Sequence, residues 1–193
     1  MSIRTYTESD VPRALRVQVD ALHEEAWPGM GGSGGHDPAL HPVTMLLVSA
    51  QGEVLAALDI LTKDIEHGAP GAPPERYRAA GLSAVVTAPA HRGMGNGRRL
   101  VAAARDLMAQ SGADLGIFTC DRPTRGFYER AGWRVLEGTV LVGGTPQDPF
   151  PSDRPGFDKV TMADFFTERA RRAEPAFRGS RIRLHPGGID RLW

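Results

Sequence analysis

The chain has little of what a secreted, membrane-spanning or nucleic-acid-binding protein needs. It has a single cysteine, Cys120, so no disulfide can form within the chain, and this favours a reducing compartment. No apolar stretch approaches the ~20 residues that span a bilayer, and the first ten residues lack the apolar segment of a signal peptide. Because 23 basic residues are balanced by 23 acidic ones, no net charge attracts nucleic acid or an anionic membrane. We therefore predict a cytoplasmic protein with no nucleic-acid or membrane partner.

Lysine is also scarce, since only Lys63 and Lys159 accompany the many arginines. Together with abundant alanine, glycine and proline, this composition is typical of a GC-rich bacterial genome. The 193 residues and the hydrophobic fraction of 41% suffice for one domain with a substantial core. We predict a single domain over residues 1–193, and the sequence leaves open whether the chain forms a homodimer.

Apolar and alternating runs predict a chain in which strands alternate with helices. Gln51 and Gly52 separate two apolar runs and indicate a β-hairpin. Segments rich in Gly, Pro and Asp predict loops at 28–38, 66–76 and 143–158. The predicted strands are 2–6, 43–50, 53–61, 81–87, 114–120, 133–142 and 158–162, and the predicted helices are 11–25, 97–110, 124–131 and 163–173. This pattern predicts a mixed α/β fold.

The most informative segment is a glycine-rich turn between a predicted strand and a predicted helix. Gly93, Gly95 and Gly97 have no Cβ atom, so main-chain N–H groups can converge on a ligand there. The start of a helix adds unpaired N–H groups and a partial positive charge. Arg92 and Arg98 add full positive charges. This combination predicts a binding site for a pyrophosphate.

Two other nucleotide-binding motifs are excluded at this turn. A P-loop ends in Gly-Lys-Ser/Thr, which is absent, and the dinucleotide motif needs glycine at position 98, where the chain has Arg98. A tight strand-to-helix turn that binds nothing is the remaining alternative. The arginines beside the glycines favour a binding site over that alternative.

The segment Arg92-Gly93-Met94-Gly95-Asn96-Gly97 matches the R/Q-x-x-G-x-G/A signature and resembles the GNAT superfamily of N-acetyltransferases. The resemblance implies the GNAT, or acyl-CoA N-acyltransferase, fold, in which helices flank a central, mostly antiparallel sheet. It also implies acetyl-CoA as cosubstrate, with the loop holding the coenzyme pyrophosphate and the preceding strand binding the acetyl carbonyl and the pantetheine. The residues implied to bind the coenzyme are Val85, Val86, Thr87, Arg92, Gly93, Met94, Gly95, Asn96, Gly97 and Arg98.

A second motif, Phe127-Tyr128-Glu129-Arg130-Ala131-Gly132-Trp133, resembles the F-Y-x-x-x-G-F/W segment of the same family. The two motifs extend the resemblance over roughly residues 3–143, and they leave 144–193 as a C-terminal extension that completes the acceptor site or pairs with a second subunit. In the family the tyrosine lies near the coenzyme sulfur, so the resemblance implies that Tyr128 protonates the leaving thiolate. The alternative is a tyrosine that only packs against the sheet, as we expect for Phe127 and Trp133.

The reaction implied by the resemblance needs a base, because an amine attacks a thioester only when unprotonated and an alkylammonium has a pKa of ~10.4. A main-chain N–H between Val85 and Thr87 is the predicted donor to the oxyanion. Many family members carry a glutamate early on the fourth strand, where this chain has Ser83, a residue able to position a water molecule. The candidates for the base stay open and are Asp59, Asp64, Glu66, His67, Glu24 and Glu25.

Three further residues have competing interpretations. Cys120 ends a predicted strand near the expected thioester, and a small buried hydrophobe is favoured over an acetylated nucleophile. His36 and His41 have no convincing third ligand in the sequence, so we predict no metal.

The predicted acceptor is the amine of a small molecule. A narrower resemblance, to aminoglycoside 2'-N-acetyltransferases, rests on residues 115–119, 125–133 and 145–158 and implies that Trp193 lies at the acceptor pocket. The arginines within 168–183 would repel a polycation there, and we expect them to form a solvated face. A catalytically silent acyl-CoA-binding module, favoured by Ser83 in place of the glutamate, is the remaining alternative.

Overall fold

The computed structural model describes residues 1–29 and 35–184. The strands are β1 (Ser2–Thr7), β2 (Val43–Val48), β3 (Val54–His67), β4 (Glu75–Thr87), β5 (Leu115–Asp121), β6 (Arg134–Val135), β7 (Val140–Gly144), β8 (Pro149–Pro151), β9 (Lys159–Phe165) and β10 (Arg181–Arg183). The helices are α1 (Arg13–Ala26), α2 (Asn96–Gln110), α3 (Arg125–Glu129) and α4 (Glu168–Phe177). None of the helices in these described residues is long and apolar enough to cross a bilayer.

The strands form two sheets that confirm the predicted mixed α/β fold with a mostly antiparallel sheet. Seven strands are hydrogen-bonded in the order β1-β2-β3-β4-β5-β9-β6, and a smaller sheet has the order β10-β7-β8. In the large sheet β1 pairs with β2, β2 with β3, and β9 with both β5 and β6, all antiparallel. Strand β4 pairs in parallel with β5, and this change of direction follows the crossover through α2.

The chain divides into two compact units, and β3, β4 and α2 contribute residues to both. Unit 1 consists of Met1–Leu61 and Leu82–Ala104, and unit 2 of Thr62–Gly81 and Arg105–Trp193. The core of unit 1 forms because α1 is amphipathic. Its buried Leu15 and Val19 pack in one cluster with apolar side chains of β2, β3 and β4, namely Leu46, Val48, Val54, Ala57 and Val86.

Several aromatic side chains pack against one another in the core of unit 2. The Phe177 ring lies 4.4 Å from the His67 ring, 5.3 Å from the Tyr77 ring and 5.4 Å from the Phe165 ring. Phe118 on β5 packs edge-on against Trp133 at 4.8 Å. These offset and edge contacts are the arrangements that aromatic rings prefer. The contacts of Phe177 link α4 to β3, β4 and β9, and the Phe118–Trp133 contact links β5 to the segment before β6.

Gly116 on β5 provides the space in which the Trp133 indole lies. A Cβ atom at Gly116 would lie 2.6 Å from both Cη2 and Cζ3 of that indole, which is buried. We therefore expect Gly116→Ala to lower the free energy of unfolding by about 1–3 kcal/mol, the usual cost of overpacking, as measured by urea denaturation. Trp133→Phe removes both clashing atoms, so the double variant is expected to be less destabilised than the sum of the single ones. Additive losses would contradict this account.

Two strands are longer than predicted, because charged residues on their exposed face resemble a loop in the sequence. Strand β3 continues to His67 with Ile65 buried between exposed Asp64 and Glu66. Strand β4 begins at Glu75 rather than residue 81, with Tyr77 buried between exposed neighbours. Both ends follow the period-two alternation of a strand with one solvated face, so the predicted loop 66–76 shrinks to 68–74.

The C-terminal third departs from prediction at two further places. The predicted strand 133–142 is split into β6 and β7, because Gly138 takes a φ of 70° in the turn between them. The predicted helix 163–173 is wrong at its start, since 163–165 belong to β9. Helix α4 begins at Glu168, and Thr167 caps it by accepting a hydrogen bond from the Ala170 N–H at 3.2 Å.

Candidate functional site

The glycine-rich turn predicted from the sequence lies between β4 and α2 in unit 1. Gly93 and Gly95 have φ values of 76° and 81°, a region that side chains with a Cβ rarely adopt. No atom lies within 4 Å of a Cβ built on Gly93, so this turn is open above its backbone. The third glycine, Gly97, is instead a buried residue in the first turn of α2.

Main-chain N–H groups at this turn are available to an anion. The Arg99 N–H donates to the Gly95 carbonyl at 2.9 Å and starts the hydrogen-bond ladder of α2. The N–H groups of Asn96, Gly97 and Arg98 precede that bond and have no partner within the helix. With the positive end of the helix dipole, they form the kind of site that binds phosphate groups.

The side chains around the turn divide into exposed and internal ones. Arg92, Met94 and Arg98 are exposed, and the Arg92 Nε donates to the Thr87 carbonyl at 3.1 Å, which holds that arginine beside the end of β4. The Asn96 side chain is buried and its Nδ2 donates to the His91 carbonyl at 3.4 Å. The Asn96 side chain thus stabilises the turn, and only the main-chain N–H of Asn96 is placed to bind a ligand.

Strand β4 carries a backbone irregularity just before the turn. Ala84 has a φ of 51°, which is unusual for a residue with a Cβ and costs about 1–3 kcal/mol. Ser83, Ala84 and Val85 are three consecutive half-buried residues, whereas a regular strand alternates. Val86 resumes the pattern and packs in the unit 1 core. An interruption of this kind is typical of a β-bulge, which leaves one residue of the ladder unpaired, and it falls where the sequence predicts the oxyanion donor.

Tyr128 lies in the aromatic cluster of unit 2. Its ring is 5.0 Å from Phe118 and 4.9 Å from Phe127, both in edge contacts. Burial, reinforced by the nearby Cys120 and Asp121, raises the pKa of the Tyr128 hydroxyl well above its ordinary value of 10.0. The hydroxyl therefore keeps its proton at neutral pH. Of its predicted core neighbours, Trp133 is buried as expected and Phe127 is only half-buried.

Cys120 is the penultimate residue of β5 and is buried, with 5% of its surface exposed. Burial is also the largest cause that raises the pKa of its thiol above 9.0. A buried, protonated thiol is a poor nucleophile. These properties favour the small buried hydrophobe over the acetylated nucleophile.

The candidates for the base have different surroundings. Asp64 is exposed and paired with Arg76 at 2.5 Å, and Glu66, Glu24 and Glu25 are also exposed. His67 is 2.9 Å from the Ala176 carbonyl through its Nε2 and packs on Phe177. Only Asp59, among these six described candidates, has its carboxylate buried, where Thr44 Oγ1 donates to its Oδ1 at 2.6 Å.

The arginines of the C-terminal segment form a paired, solvated face in unit 2, as the sequence predicts. Their partners are acidic side chains or a main-chain carbonyl, as in Arg169–Asp114, Arg172–Glu168, Arg178–Glu174, Arg181–Asp153 and Arg171–Phe165 O. Trp193, which the narrower resemblance places at the acceptor pocket, lies outside the described residues.

A strand with a backbone irregularity, followed by a glycine-rich turn and the start of a helix, is typical of a class of protein that binds a phosphorylated ligand through main-chain N–H groups. A family model described as an acetyltransferase (GNAT) domain matches residues 2–136. The chain therefore belongs to the GNAT acetyltransferase family and is an acyltransferase whose cosubstrate is acetyl-CoA. No curated protein matches the chain significantly in sequence.

Solved structures with this fold resemble the chain at low sequence identity. ElaA from Escherichia coli superposes with a TM-score of 0.59 at 15% identity, covering 84% of this chain and 97% of that one. YhbS from Escherichia coli, a GNAT family N-acetyltransferase in complex with CoA, gives 0.59 at 14%, covering 95% and 89%. The aminoglycoside 6'-N-acetyltransferase from Enterococcus faecium gives 0.57 at 15%, covering 88% and 99%. At these identities the likeness shows the fold alone.

Proposed function

We propose that the chain transfers the acetyl group of acetyl-CoA to the amine of a small molecule by direct attack on the thioester. The observation that carries the proposal is the continuous arrangement from Ser83 to Arg98, in which the Ala84 bulge leads into a glycine turn and the start of α2. One end offers main-chain groups to a carbonyl oxygen, and the other offers them to a pyrophosphate.

Each part of this arrangement has a defined task in the proposed reaction. The main chain of Val85, Val86 and Thr87 aligns the pantetheine and the acetyl carbonyl, and an N–H at the bulge stabilises the oxyanion of the tetrahedral intermediate. Ser83, half-buried beside the bulge, orients a water molecule or the amine. A preorganised N–H donor of this kind is worth about 3–4 kcal/mol in transition-state stabilisation.

The charged and aromatic residues supply the remaining steps. Arg92 and Arg98 are exposed beside the turn and add charge-assisted bonds to the phosphates. We assign to Tyr128 the protonation of the departing coenzyme thiolate, and this role is supported by its motif and by a hydroxyl that stays protonated at neutral pH. Among the described residues, Asp59 is the base candidate with the most unusual surroundings.

The test is release of coenzyme thiol from acetyl-CoA in the presence of polyamines, aminoglycosides, amino acids and peptides. We expect thiol release with at least one small-molecule amine, and mass spectrometry should find a product heavier by one acetyl group. Acetylation at the 2' amine of an aminoglycoside would support the narrower prediction. Saturable coenzyme binding by calorimetry without thiol release from any amine would contradict the proposal and favour a silent acyl-CoA-binding module.

We also propose that the reaction takes place in a bacterial cytoplasm. The single cysteine and the arginine-rich, lysine-poor composition support this proposal. Fractionation of a bacterial host that expresses the chain tests it, and recovery of the protein with the periplasmic fraction would count against it.

A further inference from the structure

Glu8, His36 and Asp59 meet in unit 1 and form what we call the acid–histidine cluster. One side-chain oxygen or nitrogen from each lies within 4.8 Å of the others. The His36 Nε2 is 3.4 Å from the Asp59 Oδ2, and both Glu8 carboxylate oxygens accept hydrogen bonds from the His36 main-chain N–H, at 3.0 and 3.2 Å. Glu8 and Asp59 are distant from His36 along the chain, so their proximity could not be predicted from the spacing of residues in the sequence.

The cluster places two carboxylates beside a single imidazole. Asp59 is only 6% exposed, and Thr44 occupies its Oδ1, which leaves Oδ2 facing His36. A buried carboxylate is costly unless a cation or several donors compensate it. The Arg16 guanidinium is nearby but donates to the main-chain carbonyl of Glu8. Two carboxylates around one imidazole therefore favour a positively charged ligand.

The acid–histidine cluster lies beside the Ala84 bulge. The Ala88 N–H donates to the Leu55 carbonyl at 3.0 Å. Strands β3 and β4 are hydrogen-bonded neighbours joined by the short loop 68–74, and so short a connection implies that they run antiparallel. Counting along the two strands from the Ala88–Leu55 bond then puts Asp59 opposite the region of Ala84. Asp59 is two residues from Ala57 and so lies on the sheet face that α1 covers. The cluster is thus close to the main-chain groups to which we assign the thioester carbonyl.

We propose that His36 and Asp59 bind the acceptor as an alkylammonium ion and that His36 removes its proton. This inference rests on the proposed function. The ammonium donates one N–H to Asp59 Oδ2 and a second to His36 Nε2, which takes that proton. The neutral amine then attacks the thioester carbon. A C–N bond forms, the C–S bond breaks, and the thiolate takes a proton from Tyr128. The N-protonated amide gives its extra proton through solvent to the Tyr128 phenolate, and the protonated His36 releases the proton that it took from the ammonium to solvent, so both side chains return to their starting states.

Glu8 is a positioning residue in this arrangement, since its carboxylate holds the main chain of His36 and adds a second negative charge near the bound ammonium. The two carboxylates select for acceptors that are positively charged, such as diamines. Glu8→Gln keeps an oxygen that accepts from the His36 N–H, whereas Glu8→Ala removes it. We expect Glu8→Gln to retain more of the wild-type kcat than Glu8→Ala, a difference that loss of charge alone would not produce.

The test compares Asp59→Asn and His36→Gln with wild type in thiol release from saturating acetyl-CoA, using an amine that the wild type accepts. We expect kcat/KM to fall by about 10²- to 10⁴-fold, the range for a general base. The coenzyme Kd by calorimetry should stay within about twofold, because the cluster binds the other substrate. Asp64→Asn is the matched control, an exposed carboxylate on the same strand, and should keep full turnover. If Asp59→Asn does not fold, the test rests on His36→Gln, because the His36 side chain is more exposed than that of Asp59.

Three results would overturn the inference. One is wild-type turnover in both variants, and another is activity that EDTA abolishes and Zn²⁺ restores, which would make the cluster a metal site. The third result concerns a wild-type protein that acetylates no amine. That outcome contradicts the proposed function, and the ammonium site is then tested by binding alone. Cadaverine is then titrated into protein with ¹⁵N-labelled histidine. Shifts of the His36 imidazole signals that vanish in Asp59→Asn support the ammonium site, and unchanged signals refute it.

Discussion

Replacing Gly95 with glutamate is expected to weaken acetyl-CoA binding by about 10²-fold or more. The backbone φ of 81° costs a residue with a Cβ about 1–2 kcal/mol, and the new carboxylate repels the pyrophosphate. Loss of one charge-assisted hydrogen bond to the pyrophosphate would weaken binding by about 1.5–3 kcal/mol more. A Cβ at this position meets only the Arg98 guanidinium, at 3.6 Å, so the loss would not come from crowding. Calorimetric titration with acetyl-CoA measures it.

Two controls separate backbone strain from charge in this experiment. Gly112 follows the end of α2, has the same φ of 81°, and has no atom within 4 Å of a built Cβ. Gly112→Glu therefore introduces the same backbone strain and the same charge outside the glycine-rich turn. We expect Gly112→Glu to bind the coenzyme like wild type and Gly95→Ala to show an intermediate loss. Unaltered coenzyme binding in Gly95→Glu would remove the basis for a pyrophosphate site at this turn.

Replacing Tyr128 with phenylalanine is expected to lower kcat for thiol release by about 10²-fold or more, within the range for loss of a general acid. The ring contacts with Phe118 and Phe127 survive the change, so the effect should not come from unfolding. Tyr77→Phe is the control, because Tyr77 is buried and its hydroxyl, which faces Glu75 at 3.3 Å, has no role in the proposed reaction. If Tyr128→Phe kept the wild-type kcat while the wild type remained active, the proton would have another source.

The raised pKa of Tyr128 has a consequence for the pH profile. An acid must be protonated to act, and burial moves loss of this proton above the ordinary tyrosine value of 10.0. Loss of activity through Tyr128 is therefore expected only above about pH 10. A kcat profile recorded from pH 6 to 10 checks this, and an alkaline decline near pH 8 that Tyr128→Phe abolishes would contradict a raised pKa for Tyr128.

The pyrophosphate turn was predictable because its determinants are contiguous. Arg92, Gly93 and Gly95 lie within four positions, and the positive φ values of the two glycines follow from residue type. The bulge was not predictable, because Ala84 gives no sign in the sequence that its φ is 51°. Such a conformation is imposed by the surrounding sheet, and local propensity opposes it.

The acid–histidine cluster could be predicted from the sequence only in part. Asp59 was recognisable as a carboxylate within an apolar run, and it is buried as such a position suggests. Its partners His36 and Glu8 come from other parts of the chain, and only the pairing of β1, β2 and β3 brings them together. By contrast, the sequence marks the start of α4 by Thr167, a favoured N-cap residue, and by Glu168 in the first turn, whereas the apolar run before them belongs to β9.

The burial of Trp133 gives this protein a built-in optical probe. Among the described residues, unit 1 contains Trp27, which is 40% exposed, and unit 2 contains Trp133, which is 2% exposed and packed against Phe118. Indole emission shifts to longer wavelengths when water reaches the ring, so the two side chains emit at different wavelengths in the folded protein. With Trp27 and Trp193 both replaced by phenylalanine, denaturant-induced red shifts would report the opening of unit 2 around Trp133, and a comparison with circular dichroism would reveal whether the whole chain melts in one step.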